Sequence, residues 1–210
     1  MKKVVLSVFV LIIVQALYAQ DRYDDDYGEN KGFKKENIFL GGAISLGFGS
    51  GSFAVGANPE IGYSVAKWLD AGLVFNINYY SQTYYDYFGY GQDLKSSSFN
   101  YGGGVFTRVY PLPFLFVQLQ PEYNWISYSN KYSDLIDKST VSAGSLIGAI
   151  GYGQRIVGQG SYFFMIGIDL LNDKFSPYLD GYGNPYPIIR GGFDVYLHPS
   201  KKQKPAGQVL

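Results

Sequence analysis

The chain has no cysteine, one histidine and four arginines in 210 residues. Without cysteine there is no disulfide framework, no thiolate zinc site and no cysteine nucleophile. The single imidazole, His198, leaves almost nothing for histidine chemistry. A formal net charge of zero lacks the electrostatic footprint of a nucleic-acid binder. Charged residues are only 16% of the chain, against about 25% in an ordinary soluble protein. What the chain has instead is 27 glycines, 21 tyrosines and 15 phenylalanines, a composition too apolar for a disordered tail.

Lys2 and Lys3 precede an apolar run over residues 4–14, followed by Gln15-Ala16-Leu17-Tyr18-Ala19. A basic start, a short apolar stretch and a small residue before the cut read as a secretory signal, residues 1–19. The run is shorter than the about 18 residues a spanning helix needs, so a retained anchor is the weaker alternative. Residues 20–36 carry six acids, four bases and three aromatics, and read as a flexible lead-in. Asp24-Asp25-Asp26 lacks the EF-hand spacing and reads as a solvated charge run, so no metal is expected.

From residue 37 onward the chain alternates with period two. In 69–80, Leu69, Ala71, Leu73, Phe75, Ile77 and Tyr79 share one face; Asp70, Gly72, Val74, Asn76, Asn78 and Tyr80 share the other. In 115–128, Leu119, Tyr123 and Trp125 oppose Gln118, Gln120 and Glu122. With 38–48, 53–65, 99–110, 141–155, 162–170 and 188–197, the count is eight strands. The facing of 141–155 stays open. Pro59 and Pro121 each remove a ladder donor and argue against continuous pairing there.

Alternation does not say which face is inside. A soluble lipocalin-like barrel, binding an apolar ligand in the periplasm, puts the apolar face inward; a membrane barrel puts it outward. None of the 13 lysines lies inside a candidate strand, whereas a water-facing sheet surface carries several. The membrane reading follows. The connections at 66–67, 111–113 and 157–161 are short, and 81–96, 130–140 and 172–187 are long, as in barrels with short periplasmic turns and longer outer loops. Tyr63, Trp68 and Tyr110 fall near the inner ends, and Tyr79, Tyr80, Trp125 and Tyr128 near the outer ends, as two interfacial belts.

The signal, the strand-and-turn pattern Gly62-Tyr63-Ser64-Val65-Ala66-Lys67-Trp68 and the terminal Gly192-Phe193-Asp194-Val195-Tyr196-Leu197 carry a resemblance over residues 37–198. The chain resembles the small outer-membrane β-barrel proteins of the OmpA-like transmembrane-domain kind. The resemblance implies an all-β, eight-stranded antiparallel up-and-down transmembrane β-barrel in the cell outer membrane. It implies contact with outer-membrane lipid, and recognition of the closing strand by the barrel-assembly machinery. The chain departs from the pattern in that residues 199–210, a basic tail, follow that strand.

Eight strands enclose an interior that side chains fill. By parity Glu60, Arg108, Glu122, Asp169, Arg190 and Asp194 point inward, in reach of Gln118, Gln120, Asn76, Asn78 and Asn100. An outward Arg near the midplane costs about 2–4 kcal/mol. This network reads as a structural plug, with a proton or small-ion path as the alternative. A lipid-modifying enzyme needs a nucleophile beside a base. His198 stands at the opposite end from Ser52 and Ser127, and no Gly-x-Ser-x-Gly elbow or phosphate loop occurs, so neither enzyme nor cofactor is expected. Tyr84, Tyr85, Tyr87, Phe88 and Tyr90 crowd one outer loop; Tyr178, Tyr182 and Tyr186 another. They stiffen the rim against each other or offer a surface to a protein or glycan partner.

Overall fold

The computed structural model of the chain describes residues 33–49, 52–84, 94–132, 135–179 and 183–198. The signal at 1–19 and the tail at 199–210 lie outside them, as does the lead-in at 20–36 up to residue 32. Eight strands run in chain order: β1 (Ile38–Gly49), β2 (Ser52–Ala66), β3 (Leu69–Tyr84), β4 (Leu94–Leu112), β5 (Leu115–Tyr132), β6 (Leu135–Ile156), β7 (Gly160–Asp169) and β8 (Ile188–Tyr196). Each pairs antiparallel with its sequence neighbours, and β8 returns to β1 through Phe39↔Tyr196 to Ile44↔Gly191. The result is a closed barrel, β1 to β8 in order. Over the height of β7 and β8, closure leaves no sheet edge; in the described pairings β6 before Ile147 and β1 beyond Ile44 are bonded on one side only.

The period-two pattern decides the facing. Phe75, Ile77, Leu119 and Val195 are 53%, 48%, 49% and 54% exposed on the outer surface, whereas Asn76 and Gln120 are 0% and 1% exposed in the lumen. In β6, Ala143, Ser145, Ile147, Ala149, Gly151 and Gly153 are buried and Ile150 and Tyr152 exposed, which settles its facing. Tyr110 is a correction: it is buried in the lumen rather than part of an outer belt. Tyr80 and Tyr128 likewise fall on the lumen-facing parity, at the rim. Among the outward aromatics, Tyr79, Phe99, Tyr101, Tyr123 and Trp125 lie toward the loop end, and Phe114, Tyr152 and Tyr162 toward the turn end.

Both prolines sit inside paired strands. Pro59 is opposite Gly42 and Pro121 opposite Leu146, so one ladder continues past each. The other ladder skips: β2–β3 pairing passes from Ala57 to Glu60, and β4–β5 from Glu122 to Leu119. A missing N–H costs the strand pairing on one side only.

The strands β3 to β6 are taller than their apolar pattern. Leu94↔Tyr132 and Tyr132↔Leu135 extend the ladders, so the long loop expected at 130–140 is paired strand, with only residues 133–134 between β5 and β6. Tyr84 is the last residue of β3, paired with Leu94, rather than part of a loop. Lys95, Lys131 and Lys138 therefore do lie in strands. Apart from Leu94, Leu135 and Ile136 the sequence of these extensions is mainly serine, threonine, asparagine, glutamine, lysine and tyrosine, so hydrophobic alternation fades there while the backbone ladder persists.

Large and small residues alternate inside. A Cβ added at Gly62 would strike the Phe39 ring, and one at Gly151 the Phe116 ring. Phe116 is hemmed in by Tyr110, 5.5 Å away between ring centroids, and by Phe163 at 5.9 Å, so it has no room to yield. Gly151→Ala is expected to lower barrel stability by about 1–3 kcal/mol. Adding Phe116→Leu should return part of that loss, read from the unfolding midpoint of each variant in detergent.

Candidate functional site

The lumen divides into an aromatic half toward the turns and a polar half toward the loops. In the turn half, Phe39, Val74, Phe106 and Tyr196 form one buried cluster, and Ala43, Tyr110, Phe116, Ala149, Phe163 and Met165 another. The parity of charged residues alone does not reveal this apolar filling. The available signal was the set of glycines at the same parity on adjacent strands, each leaving space for a ring.

Arg108 of β4 stands where the two halves meet. Its guanidinium carbon lies 4.6 Å from the Phe106 ring centroid and 4.4 Å from that of Phe163. Nη2 donates to Glu60 Oε2 at 2.7 Å, and Nη1 is 2.7 Å from Glu60 Oε1 and 3.4 Å from Asp194 Oδ2. Ser161 Oγ also donates to that Asp194 oxygen, at 2.6 Å. One arginine thus lies between carboxylates brought from β2 and β8, flat against aromatic faces that favour a cation.

Arg108 Nε donates to Gln118 Oε1 at 2.6 Å, and from there the polarity of the amides is forced. Gln118 Nε2 donates to Gln120 Oε1 at 2.7 Å, and Gln120 Nε2 to Glu122 Oε2 at 2.5 Å. A second series arrives from the other side. Asn58 Nδ2 donates to Asn76 Oδ1 at 2.9 Å, Asn76 Nδ2 to Asn124 Oδ1 at 3.1 Å, and Asn124 Nδ2 to Glu122 Oε1 at 2.6 Å. Both series end on Glu122. Gln118, Gln120, Glu122 and Asn124 can join because alternate residues of one strand share a face. Asn78 Nδ2 and Asn100 Oδ1 are buried without a partner among the described residues.

Arg190 of β8 links this ladder to the connection between β7 and β8. Its Nη1 donates to Gln120 Oε1 at 3.4 Å and its Nη2 to Tyr178 Oη at 3.2 Å. Asp169 is buried at the end of β7 and serves that connection rather than the ladder. It accepts from Leu146 N and Leu171 N, both at 3.0 Å, and from Ser176 Oγ at 2.6 Å. Its carboxylate thereby satisfies a β6 amide just beyond the last residue of β7.

The expected outer surface of tyrosines is only partly there. Tyr178 is buried in the barrel mouth, packed with Ile147 and Ile188, so it offers nothing to a partner. Tyr186 is exposed and packs edge-on against Tyr178 at 6.5 Å, donating to the Pro177 carbonyl. Tyr85, Tyr87, Phe88, Tyr90 and Tyr182 lie outside the described residues.

Arg155 was not singled out from sequence. It crosses the turn end of the barrel, donating to Lys67 O at 2.5 Å and Ala66 O at 3.1 Å and pairing with Asp70. Its guanidinium carbon is 4.6 Å from the Tyr110 ring centroid. Once Ile150 and Tyr152 are placed outward, counting by twos puts Arg155 on the lumen parity. Below it, Phe33 stacks on Tyr63 at 5.2 Å.

Two outcomes are expected. Arg108→Ala leaves Glu60 and Asp194 buried without their cation and should cost about 3–5 kcal/mol, lowering the heat-unfolding midpoint in detergent. Adding Glu60→Gln and Asp194→Asn should recover part of it. Burial, followed by the neighbouring Glu122, holds the Tyr178 phenol well above its ordinary value of 10. Above that pH the unfolded chain loses this proton while the folded barrel keeps it, so stability falls as pH rises. Tyr178→Phe should flatten that fall in a series of unfolding midpoints starting below pH 10.

No family model matches the chain, and no curated protein sequence does. Solved structures resemble it. One is a major outer membrane protein from Thermus thermophilus, at 14% identity and TM-score 0.42, covering 75% of this chain and 98% of that one. Another is the N-terminal β-barrel domain of Pseudomonas aeruginosa OprF, at 15% identity and TM-score 0.36, covering 76% and 95%. A third is the Neisserial surface protein A, at 9% identity and TM-score 0.41, covering 76% and 95%. The strand pairings of the chain itself make it a closed, eight-stranded, up-and-down antiparallel barrel.

Proposed function

We propose that this chain is an integral outer-membrane β-barrel, non-enzymatic, with a lumen plugged by its own side chains. Its role is structural, or contact with a partner at the loop-end rim. The observation that carries the reading is the facing of the wall. Leu73, Phe75 and Ile77 of β3, Val105 of β4, Leu119 of β5 and Ile166 of β7 are exposed on the outside of the ring. Asp70, Arg108, Glu122 and Asp169 of the same strands are buried within. A soluble protein does not hold a continuous apolar belt in water, and in hydrocarbon only closed strands or helices satisfy the backbone.

The lipocalin-like alternative needs the opposite facing, with an apolar cavity at the centre. The lumen instead holds Arg108, Arg190, Glu60 and Glu122. An enzyme of the lipid-modifying kind is disfavoured by geography. His198 follows β8 at the turn end, and Ser127 bonds Thr140 toward the loop end, on the other side of the barrel's mid-height. A plugged lumen is supported by the ladder from Arg108 to Asn58, whose members are fully buried. The proposed partners are lipid along the wall, the assembly machinery at β8, and a protein or glycan at the rim, where Tyr186 remains exposed.

The chain should enter phosphatidylcholine vesicles from urea and resist a carbonate wash. Recovery of folded chain in plain buffer would sink the reading. In planar bilayers the folded chain should give no stepwise conductance; an open-channel current would contradict the plug while leaving the insertion standing.

A further inference from the structure

The outward face of β3 to β6 is ordered in rows, because paired residues on adjacent strands lie side by side. The row Ile77–Tyr101–Trp125–Ser142 is largely aromatic and apolar. Tyr101 stacks on Trp125 with centroids 5.9 Å apart, and Tyr123 donates to Ser142 Oγ at 2.8 Å. Next comes Tyr79–Phe99–Ser127–Thr140, then Ser81–Ser97–Ser129–Lys138, then Thr83–Lys95–Lys131–Ile136. Successive rows are about 7 Å apart along the strands. Moving toward the loop end, the face therefore passes from rings to hydroxyls to ammonium groups.

Lys95 and Lys131 are directly opposed across the β4–β5 ladder. Like charges in that position are destabilising. The ion pairs among the described residues are those of Arg108 and Arg155, and none involves Lys95, Lys131 or Lys138. Asp137, beside Lys138 in sequence, falls by parity on the other face. Three exposed cations thus crowd one face, immediately above a lipid-facing aromatic band, with hydroxyl donors between.

We infer that this face binds the phosphate-bearing headgroup of a lipid in the leaflet at the loop end. The inference rests on the membrane reading above. The chemistry matches row by row. The lysines neutralise phosphate and relieve their own opposition, and the Ser129 hydroxyl donates to its oxygens, as does whichever of Ser127 and Thr140 is not donating to the other. The Tyr101–Trp125 pair lies against the adjoining acyl chains. A lipid supplies charge and chain together, in the vertical order the rows require.

The test uses the full chain with Trp68→Phe, so that Trp125 is the sole tryptophan. It is folded into phosphatidylcholine vesicles containing a minor fraction of either brominated phosphatidic acid or brominated phosphatidylcholine. At equal mole fraction, phosphatidic acid is expected to quench Trp125 more strongly. Each Lys→Gln substitution at 95, 131 or 138 should reduce that preference about fivefold, and the triple variant should lose it. Added sodium chloride should weaken it. Equal quenching by the two lipids, or an undiminished preference in the triple variant, overturns the inference. So does loss of the preference to excess inorganic phosphate at fixed ionic strength, which would mark a free-anion site. The triple variant's heat-dependent gel mobility checks that it is folded. Failure of the chain to enter the vesicles at all would overturn the membrane reading instead, a separate result.

Discussion

Arginine can only donate hydrogen bonds and a carboxylate can only accept them, and that asymmetry organises the interior. Arg108 is the source of one series, Glu122 the common sink of two. Every amide between them has its oxygen and nitrogen assigned by position, since turning Gln118 around would set donor against donor at Arg108 Nε. A narrow cylinder leaves no water shell in which a misoriented group finds a substitute partner. The interior is accordingly an all-or-none network on one side and interdigitated rings on the other. Arg108 belongs to both through Phe106 and Phe163.

That network also accounts for how the connection between β7 and β8 is held. The chain leaves β7 at Asp169 and regains the barrel at Ile188. Asp169 binds the first residues outward through Leu171 N and Ser176 Oγ, and Arg190 binds Tyr178 from the far side. Within the connection, Tyr186 N donates to Tyr178 O at 3.1 Å and Leu179 bridges to Pro185. The connection is thus drawn into the mouth by two charged residues at the ends of the strands it joins. Among the described tyrosines of the connection, Tyr178 is buried by these contacts and Tyr186 stays exposed.

The ring of eight strands was legible because its signal is geometric: a period of two repeated in eight segments, with turns between. The lumen charges were legible for the same reason, since parity alone places Arg108, Glu60, Asp194, Glu122 and Arg190. What parity leaves out is chemistry between strands. Nothing in the local sequence of β6 says that Arg155 reaches the carbonyls of Ala66 and Lys67, nearly ninety residues away. Nor does it say that Asp169 stops a ladder instead of joining one. Tyr110 was misplaced because an aromatic near a strand end looks alike on either face. The β2–β3 and β4–β5 bulges, at Ser64/Ala66 and Val109/Leu112, add a further local uncertainty in counting by twos near the turns.

The strand extensions show what the absence of lysine from the apolar segments meant. Taken as a rule about strands it fails, since Lys95, Lys131 and Lys138 are all in paired backbone. Taken as a rule about depth it holds: on β4 and β5 the lysines lie beyond Phe99 and Trp125, in the hydroxyl and ammonium rows. An antiparallel ladder needs only backbone partners and tolerates any side chain that either face can solvate. Apolar alternation therefore marks where one face of a strand is deprived of water, not where the strand ends. On the proposed reading, the distance along β4 from Val109 to Phe99 measures the hydrocarbon, and the distance from Phe99 to Leu94 measures how far the sheet stands above it.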